Sequence, residues 1–216
     1  MSETTTTSEA AGAGGAGGRP VVVTTFLTLD GYMVGPDEDV SWVAEGLDPR
    51  MQADLAEAMA GWGTFLFGRV TFDIFAAYWP HAVPYDEGEA LNPSGGREDA
   101  RIIRALNERP KVVFSTTLAS TDWANTRIVA GGPEDEVRRL KAEPGGPINV
   151  QGSASIVRAL ARADLVDEYV LYVHPVLLGA GTLLFGPGTG RQDLELVGST
   201  VYDNGVVALT HRRRRP

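Results

Sequence analysis

The chain has 216 residues, 28 acidic against 19 basic side chains, a net charge of −9 and no cysteine. The acidic balance argues against a nucleic-acid partner, and the missing thiols exclude a disulfide framework, thiolate metal ligation and a cysteine nucleophile. No apolar run approaches the ~20 residues needed to span a bilayer, so a cytoplasmic protein without a membrane partner, built on about one large domain, is expected.

Met1 to Arg19 is a Thr-, Ala- and Gly-rich segment without the charged and apolar regions of a secretion signal. It is expected to be a disordered extension (residues 1–19) ahead of a domain spanning 20–212. Pro20 to Thr28, opened by three valines, predicts a buried strand, and Asp30-Gly31 a turn into a Gly-, Pro- and Asp-rich loop reaching about Glu45. Asp48 has N-cap chemistry and Pro49 suits the first helical position; Met51, Leu55, Met59 and Trp62 follow at helical spacing. Thr64 to Phe67 predicts a second strand. It runs into Gly68-Arg69-Val70-Thr71 and a short helix from about Thr71 to Tyr78, stopped by Pro80. That tetrapeptide has two readings: Thr71 caps the helix, or Arg69 and backbone N–H groups face an anion. Pro84 to Gly96 reads as an acidic surface loop.

The second half repeats the alternation. Lys111 to Phe114 predicts a strand entering Ser115-Thr116-Thr117, Arg127 to Val129 another, and Glu134 to Lys141 an exposed charged helix. Ile148 to Val150 is strand-like and leads into Gln151-Gly152-Ser153. Ile156, Val157, Leu160 and Ala161 mark one face of a helix over Ala154 to Ala163, and Glu168 to Val176 is a long strand. Leu194 to Val201 and Val206 to His211 flank the hairpin signal Asn204-Gly205. This order predicts an α/β fold with a mainly parallel central sheet, helices on both faces and antiparallel C-terminal edge strands. Residues 213–216 are expected to form a solvated basic tail.

In such a sheet ligands sit beyond the carboxyl ends of the strands. Those ends carry Gly68 to Thr71, Ser115-Thr116-Thr117 and Gln151 to Ser155, each with groups suited to phosphate, so a nucleotide with several phosphates is expected. Neither Gly-x-Gly-x-x-Gly nor Gly-Lys-Ser/Thr is present, which argues against a Rossmann fingerprint and a P-loop. His81, His174 and His211 lack ligand spacing, so no metal is implied and His174 reads as a packed residue. Ser153 lacks the Gly-x-Ser-x-Gly context of a nucleophile. Trp42, Trp62, Trp79 and Trp123 read mostly as core residues, with Trp42 and Trp79 as candidates to border a pocket instead.

Phe26-Leu27-Thr28-Leu29-Asp30-Gly31-Tyr32, Leu66-Phe67-Gly68-Arg69-Val70-Thr71-Phe72, Gly152-Ser153-Ala154 and Leu165-Val166-Asp167-Glu168 followed by Pro175-Val176-Leu177-Leu178-Gly179 occur in this order. Together they resemble the dihydrofolate reductase-like superfamily, and within it the reductase domain of bacterial riboflavin biosynthesis proteins. The resemblance implies a three-layer fold, NADPH as cofactor and hydride transfer to a small heterocyclic or sugar-derived substrate, similar to 5-amino-6-(5-phosphoribosylamino)uracil reductase. It implies that Gly68, Arg69 and Thr71 hold the adenosine 2′-phosphate and pyrophosphate side, with Ser115 and Thr116 adding contacts. Gln151, Gly152, Ser153 and Ala154 would receive the pyrophosphate at a helix start, and Thr25, Phe26, Leu27 and Val34 would border the nicotinamide. Asp30 is the implied catalytic residue on the substrate side; a turn-forming role before Gly31 is the competing reading. A homodimer is implied as well.

Three departures accompany the resemblance. Folate reductases carry a pteridine-pairing carboxylate on the helix after the first loop, where this chain offers Asp54 and Glu57 in a register the sequence leaves open. Gln151-Gly152 stands where folate reductases have Gly-Gly. The deaminase motif of the two-enzyme riboflavin protein is absent. Dihydrofolate reductase-type activity and a non-catalytic NADP-binding module are therefore the alternatives.

Overall fold

The computed structural model describes residues 18–45, 48–84, 97–98 and 100–215. Most of the predicted tail and most of the predicted acidic loop after Pro84 lie outside them. β1 (Val21–Thr28) is central to an eight-stranded sheet with β3 (Thr64–Gly68), β6 (Lys111–Phe114), β7 (Thr126–Val129), β8 (Ile148–Gln151), β9 (Glu168–His174), β11 (Leu194–Val201) and β12 (Val207–Arg213). The strand order is β11-β12-β9-β1-β8-β3-β6-β7. Every pairing from β9 to β7 is parallel; β12 runs antiparallel to β9 and pairs antiparallel with β11. Small ladders join β2 (Tyr32–Val34) to β10 (Thr182–Leu183) and β4 (Val83–Pro84) to β5 (Arg97–Glu98).

Alternation of side chains along a strand gives each face of the sheet its own core. Val21, Val23, Leu66, Val112, Ile148 and Val150 point toward α5 (Pro133–Lys141) and α6 (Ala154–Arg162), where they meet Val137, Leu140, Val157 and Leu160. Phe65, Phe67 and Val113 point the other way. There they meet Met59 of α2 (Pro49–Gly61), Phe72 of α3 (Arg69–Tyr78), and Ile102 and Leu106 of α4 (Ala100–Glu108), closing three layers. A smaller cluster joins Met51 of α2 to Tyr172, Tyr202 and Val206 beside the antiparallel edge. The short helix α1 (Ser41–Glu45) brings the buried Trp42 against His174, with ring centroids 5.1 Å apart.

Local chemistry explains most boundaries. Asp48 accepts a hydrogen bond from the Met51 amide (3.0 Å), the expected N-cap of α2. Gly31 turns the chain after β1 with φ of 86° and donates to the Thr28 carbonyl (2.9 Å). α3 starts earlier than predicted: Gly68 is its N-cap, so Thr71 lies inside the helix and does not cap it. β9 stops at His174 rather than Val176, because Pro175 has no amide for a ladder bond. α1 and α4 fall where no helix was anticipated, although Ile102, Ala105 and Leu106 form a helical apolar face that the sequence already displays.

The ends of the domain also differ from expectation. Arg19 is buried; its Nε donates to the Gly146 carbonyl (2.7 Å) and one Nη to Thr64 Oγ1 (2.6 Å). At the other terminus Arg213 pairs with Asp164 (2.8 Å) and Arg215 with Asp167 (2.7 Å), since the antiparallel edge carries the arginines over the acids that precede β9. Asp167 also accepts from the Val21 amide (2.8 Å) and Lys141 (2.6 Å). Burial alone would raise its pKa; these donors hold it below the usual carboxylate value.

Two buried ionisable groups make the fold testable. The Lys111 ammonium donates to the carbonyls of Leu106 (2.7 Å) and Arg109 (3.0 Å) at the end of α4 and lies 4.8 Å from the Trp123 ring centre. Lys111→Met leaves those carbonyls unpaired and is expected to cost about 3 kcal/mol in urea denaturation, against less than ~0.5 for the exposed Arg109→Ala. Burial pulls the His174 imidazole from 6.5 down to about 4. The unfolded chain therefore binds more protons between those values, and stability is lost as pH falls from 6.5 toward 4. In thermal melts across that window His174→Phe is expected to flatten the decline.

Candidate cofactor-binding site

The carboxyl ends of β8, β3 and β6 are neighbours, so the three loops predicted to hold phosphate share one rim of the sheet. Two of them touch. A Cβ built on Gly68 would lie 2.0 Å from Ser153 Oγ and 2.7 Å from its Cβ, so only glycine lets the β3 and β8 loops cross at this separation. On the β8 side Gly152 and Ser153 both have positive φ, 58° and 64°. The left-handed form is ordinary for glycine. For serine it costs roughly 1 to 3 kcal/mol and persists only where surroundings enforce it, a pattern typical of ligand sites.

Both crossing loops start helices. α3 follows Gly68 and α6 follows Ser153, and neither start has a side-chain cap or an acidic residue in its first turn. The first amides of each helix therefore keep their positive end open. α5, which starts at the same rim beyond β7, is different: Glu134, Asp135 and Glu136 occupy its first turn. α2 has its Asp48 cap. An anion at this rim thus has two adjacent helix starts available, α3 and α6.

The predicted side chains fall around this crossing. A Cβ on Gly152 would be 3.9 Å from both Thr25 Oγ1 and Thr71 Cγ2, which places β1, β8 and α3 about one point. Met33 was not anticipated; its Cε lies 3.1 Å from the same position, closer than either threonine. Alternation along β2 separates it from Val34, which pairs with Thr182 of β10. Ala154 is buried at the start of α6, and Gln151 closes β8 opposite Thr24. Leu27 packs into the α5–α6 core. Phe26 faces the opposite layer, 5.2 Å from the Tyr172 ring and 5.6 Å from His174.

Charged and hydroxyl groups at the rim are engaged to different degrees. Arg69 Nε holds Asp73 one turn along α3 at 2.7 Å, an exposed i,i+4 pair worth about 0.3 to 0.5 kcal/mol, weak enough to be exchanged for a ligand. Ser115 Oγ accepts from the Thr117 (3.2 Å) and Leu118 (3.0 Å) amides and so shapes its own turn, leaving Thr116 exposed. Asp30 is the most constrained. Its carboxylate accepts from Thr28 Oγ1 (2.5 Å), the Leu178 amide (3.1 Å) and the Gly179 amide (2.7 Å), tying the turn after β1 to the loop after β9. The Thr28 hydroxyl first and then these amides keep its pKa below the ordinary value.

Beside this latch Trp42 Nε1 and His174 Nε2 are buried without a hydrogen-bond partner among the described residues. On α2, Asp54 accepts from the Tyr202 hydroxyl at 3.0 Å. Arg50 lies over the same Tyr202 ring, at 5.8 Å. Among the described residues no helix is long and apolar enough to cross a membrane.

The chain is similar to known proteins over most of its length. Residues 19–208 match the model of the RibD C-terminal domain. The uncharacterized protein YyaP of Bacillus subtilis is 30% identical over 197 residues, covering 89% of this chain and 94% of its own. A candidate riboflavin biosynthesis protein from Shewanella sp. PV-4 superposes with a TM-score of 0.69 at 21% identity, over 91% of this chain and 99% of that one. A diaminohydroxyphosphoribosylaminopyrimidine deaminase/5-amino-6-(5-phosphoribosylamino)uracil reductase from Thermotoga maritima gives 0.62 at 15% identity, over 91% of this chain and 57% of the other. The chain belongs to the RibD C-terminal domain family.

Proposed function

We propose that the protein is an NADPH-dependent reductase of a small heterocyclic or sugar-derived substrate, of the type represented by 5-amino-6-(5-phosphoribosylamino)uracil reductase. One observation carries the reading: two adjacent helix starts, free of acidic side chains and side-chain caps, meet where Gly68 passes Ser153. A dinucleotide needs such a place for its pyrophosphate, because backbone amides can approach it where no Cβ intervenes. Arg69 adds a guanidinium that exchanges Asp73 for the adenosine 2′-phosphate, with Ser115 and Thr116 on the next loop.

NADPH supplies the hydride, and the chain supplies orientation and electrostatics. Thr25 and Met33 border Gly152 between the proposed phosphate site and β1, while Phe26, His174 and Trp42 close the α2 side of the same strand. Asp30 works here as a positioning residue: its carboxylate is committed to three donors and fixes the Leu178–Gly179 loop at the end of β1. The dihydrofolate reductase-type alternative draws less support, since Asp54 is engaged by Tyr202. A homodimer remains part of the proposal, with light scattering as its measurement.

Arg69→Ala is expected to weaken NADPH about tenfold or more and NADH by less than about twofold, measured by nicotinamide fluorescence titration. Equal losses for the two cofactors overturn the 2′-phosphate assignment. NADPH binding without oxidation across a panel of pyrimidine and pteridine substrates would instead favour a non-catalytic NADP-binding module.

Asp30→Asn tests the latch. A carboxylate whose folded pKa is lowered stabilises the fold above its unfolded value and loses that contribution as pH falls through the folded one. The melting temperature of the variant is therefore expected below wild type at pH 7, with the gap closing as the pH drops below about 4. An unchanged melting temperature at pH 7, with loss of turnover, would return Asp30 to a direct chemical role.

A further inference from the structure

A cavity lies at the other end of the sheet from the proposed cofactor rim. It measures about 490 Å³ and is walled by the amino ends of β3, β6 and β7 and by the stretch between α5 and β8. Arg19, Lys111, Arg127 and Arg139 line it, against a single lining carboxylate, Glu143. In a chain of net charge −9 this is a local inversion of sign.

The cations are held in place before any ligand arrives. Arg19 is fixed by Gly146 and Thr64 and lies flat under Gly145, whose added Cβ would sit 3.0 Å from its Nε and 3.1 Å from its Cζ. Burial lowers its pKa, an effect that Glu143 partly opposes. Among the described residues Arg19 forms no ion pair. Arg127 and Arg139 share the buried Glu136, and Arg139 also reaches Glu143. Lys111 lines the wall, but its ammonium is directed to the end of α4 and away from the cavity. Even counting Glu136 behind them, three guanidinium groups face two carboxylates. Arg127 keeps half of its side chain exposed and uses one terminal nitrogen on Glu136, so the rest of its fork is open to a ligand.

We propose that this cavity is a second binding site, for a small multiply charged oxyanion with phosphate or carboxylate groups, separate from the proposed cofactor rim. The volume lies within the usual range for small-molecule sites, and a fork of fixed guanidinium groups is the chemistry that recognises such groups bidentately. The site depends on no assumption about the reaction.

The test is a calorimetric titration of the full chain with inorganic pyrophosphate and, separately, citrate at constant ionic strength, with amide chemical shifts followed by NMR. Either anion is expected to bind and to move the amides of Thr126, Arg127 and Gly145. The pair distinguishes a phosphate ligand from a carboxylate one. Arg127→Gln is expected to weaken binding about tenfold. Thr126→Glu, which leaves the Glu136 pairs intact, is expected to do the same by repulsion. NADPH affinity should change less than about twofold in both. No binding of either anion, amide shifts confined to Gly152–Ala154, or equal binding in wild type and Thr126→Glu overturns the proposal.

Discussion

The passage of Gly68 against Ser153 is the contact on which the arrangement of the site depends. β8 enters the sheet between β1 and β3 although more than a hundred residues separate it from β1, so its exit must cross a strand end that is already occupied. The missing side chain at Gly68 and the left-handed pair Gly152-Ser153 make room for that crossing. A consequence is that α3 and α6 begin side by side with their amide dipoles toward the same space. The cost of holding Ser153 in the left-handed region is offset by packing of Ala154, Ile156 and Val157 behind it.

Around this crossing the fold fixes polar groups at long range. Asp167 gathers the amide that begins β1, Lys141 from α5 and Arg215 from beyond β12, linking the start of the sheet to both neighbouring layers. Asp30 does the corresponding work at the carboxyl end through Leu178 and Gly179. The two acids hold opposite ends of β1. The proposed cofactor rim and the cationic cavity thus occupy opposite ends of the same parallel strands, separated by the apolar core between them.

Much of this was legible from local chemistry. The Asp48-Pro49 helix start, the valine-rich first strand and the Asn204-Gly205 hairpin follow from short-range preferences that tertiary packing did not override. α4 has the apolar spacing of a helix, but it is only nine residues long between a Gly/Pro-rich stretch and Pro110, so its local signal is weak and packing on β3 and β6 decides it. Met33 was missed for another reason. Its neighbour Val34 has the same strand chemistry, and only the pairing of β2 with β10 decides which of the two turns toward Gly152.

The sequence by itself determined the α/β alternation, the parallel sheet with its antiparallel edge, and the three strand-end loops with phosphate-compatible groups. It did so because period, caps and turn residues act within a few positions of one another. Tertiary structure alone decided that Gly68 meets Ser153, that Asp30 is bound by Leu178 and Gly179, and that Arg19 belongs to the core. It also gathered Arg19, Arg127 and Arg139 around one cavity at the amino ends of the strands. Each of these joins residues far apart in the chain, where strand order rather than local propensity sets the distance.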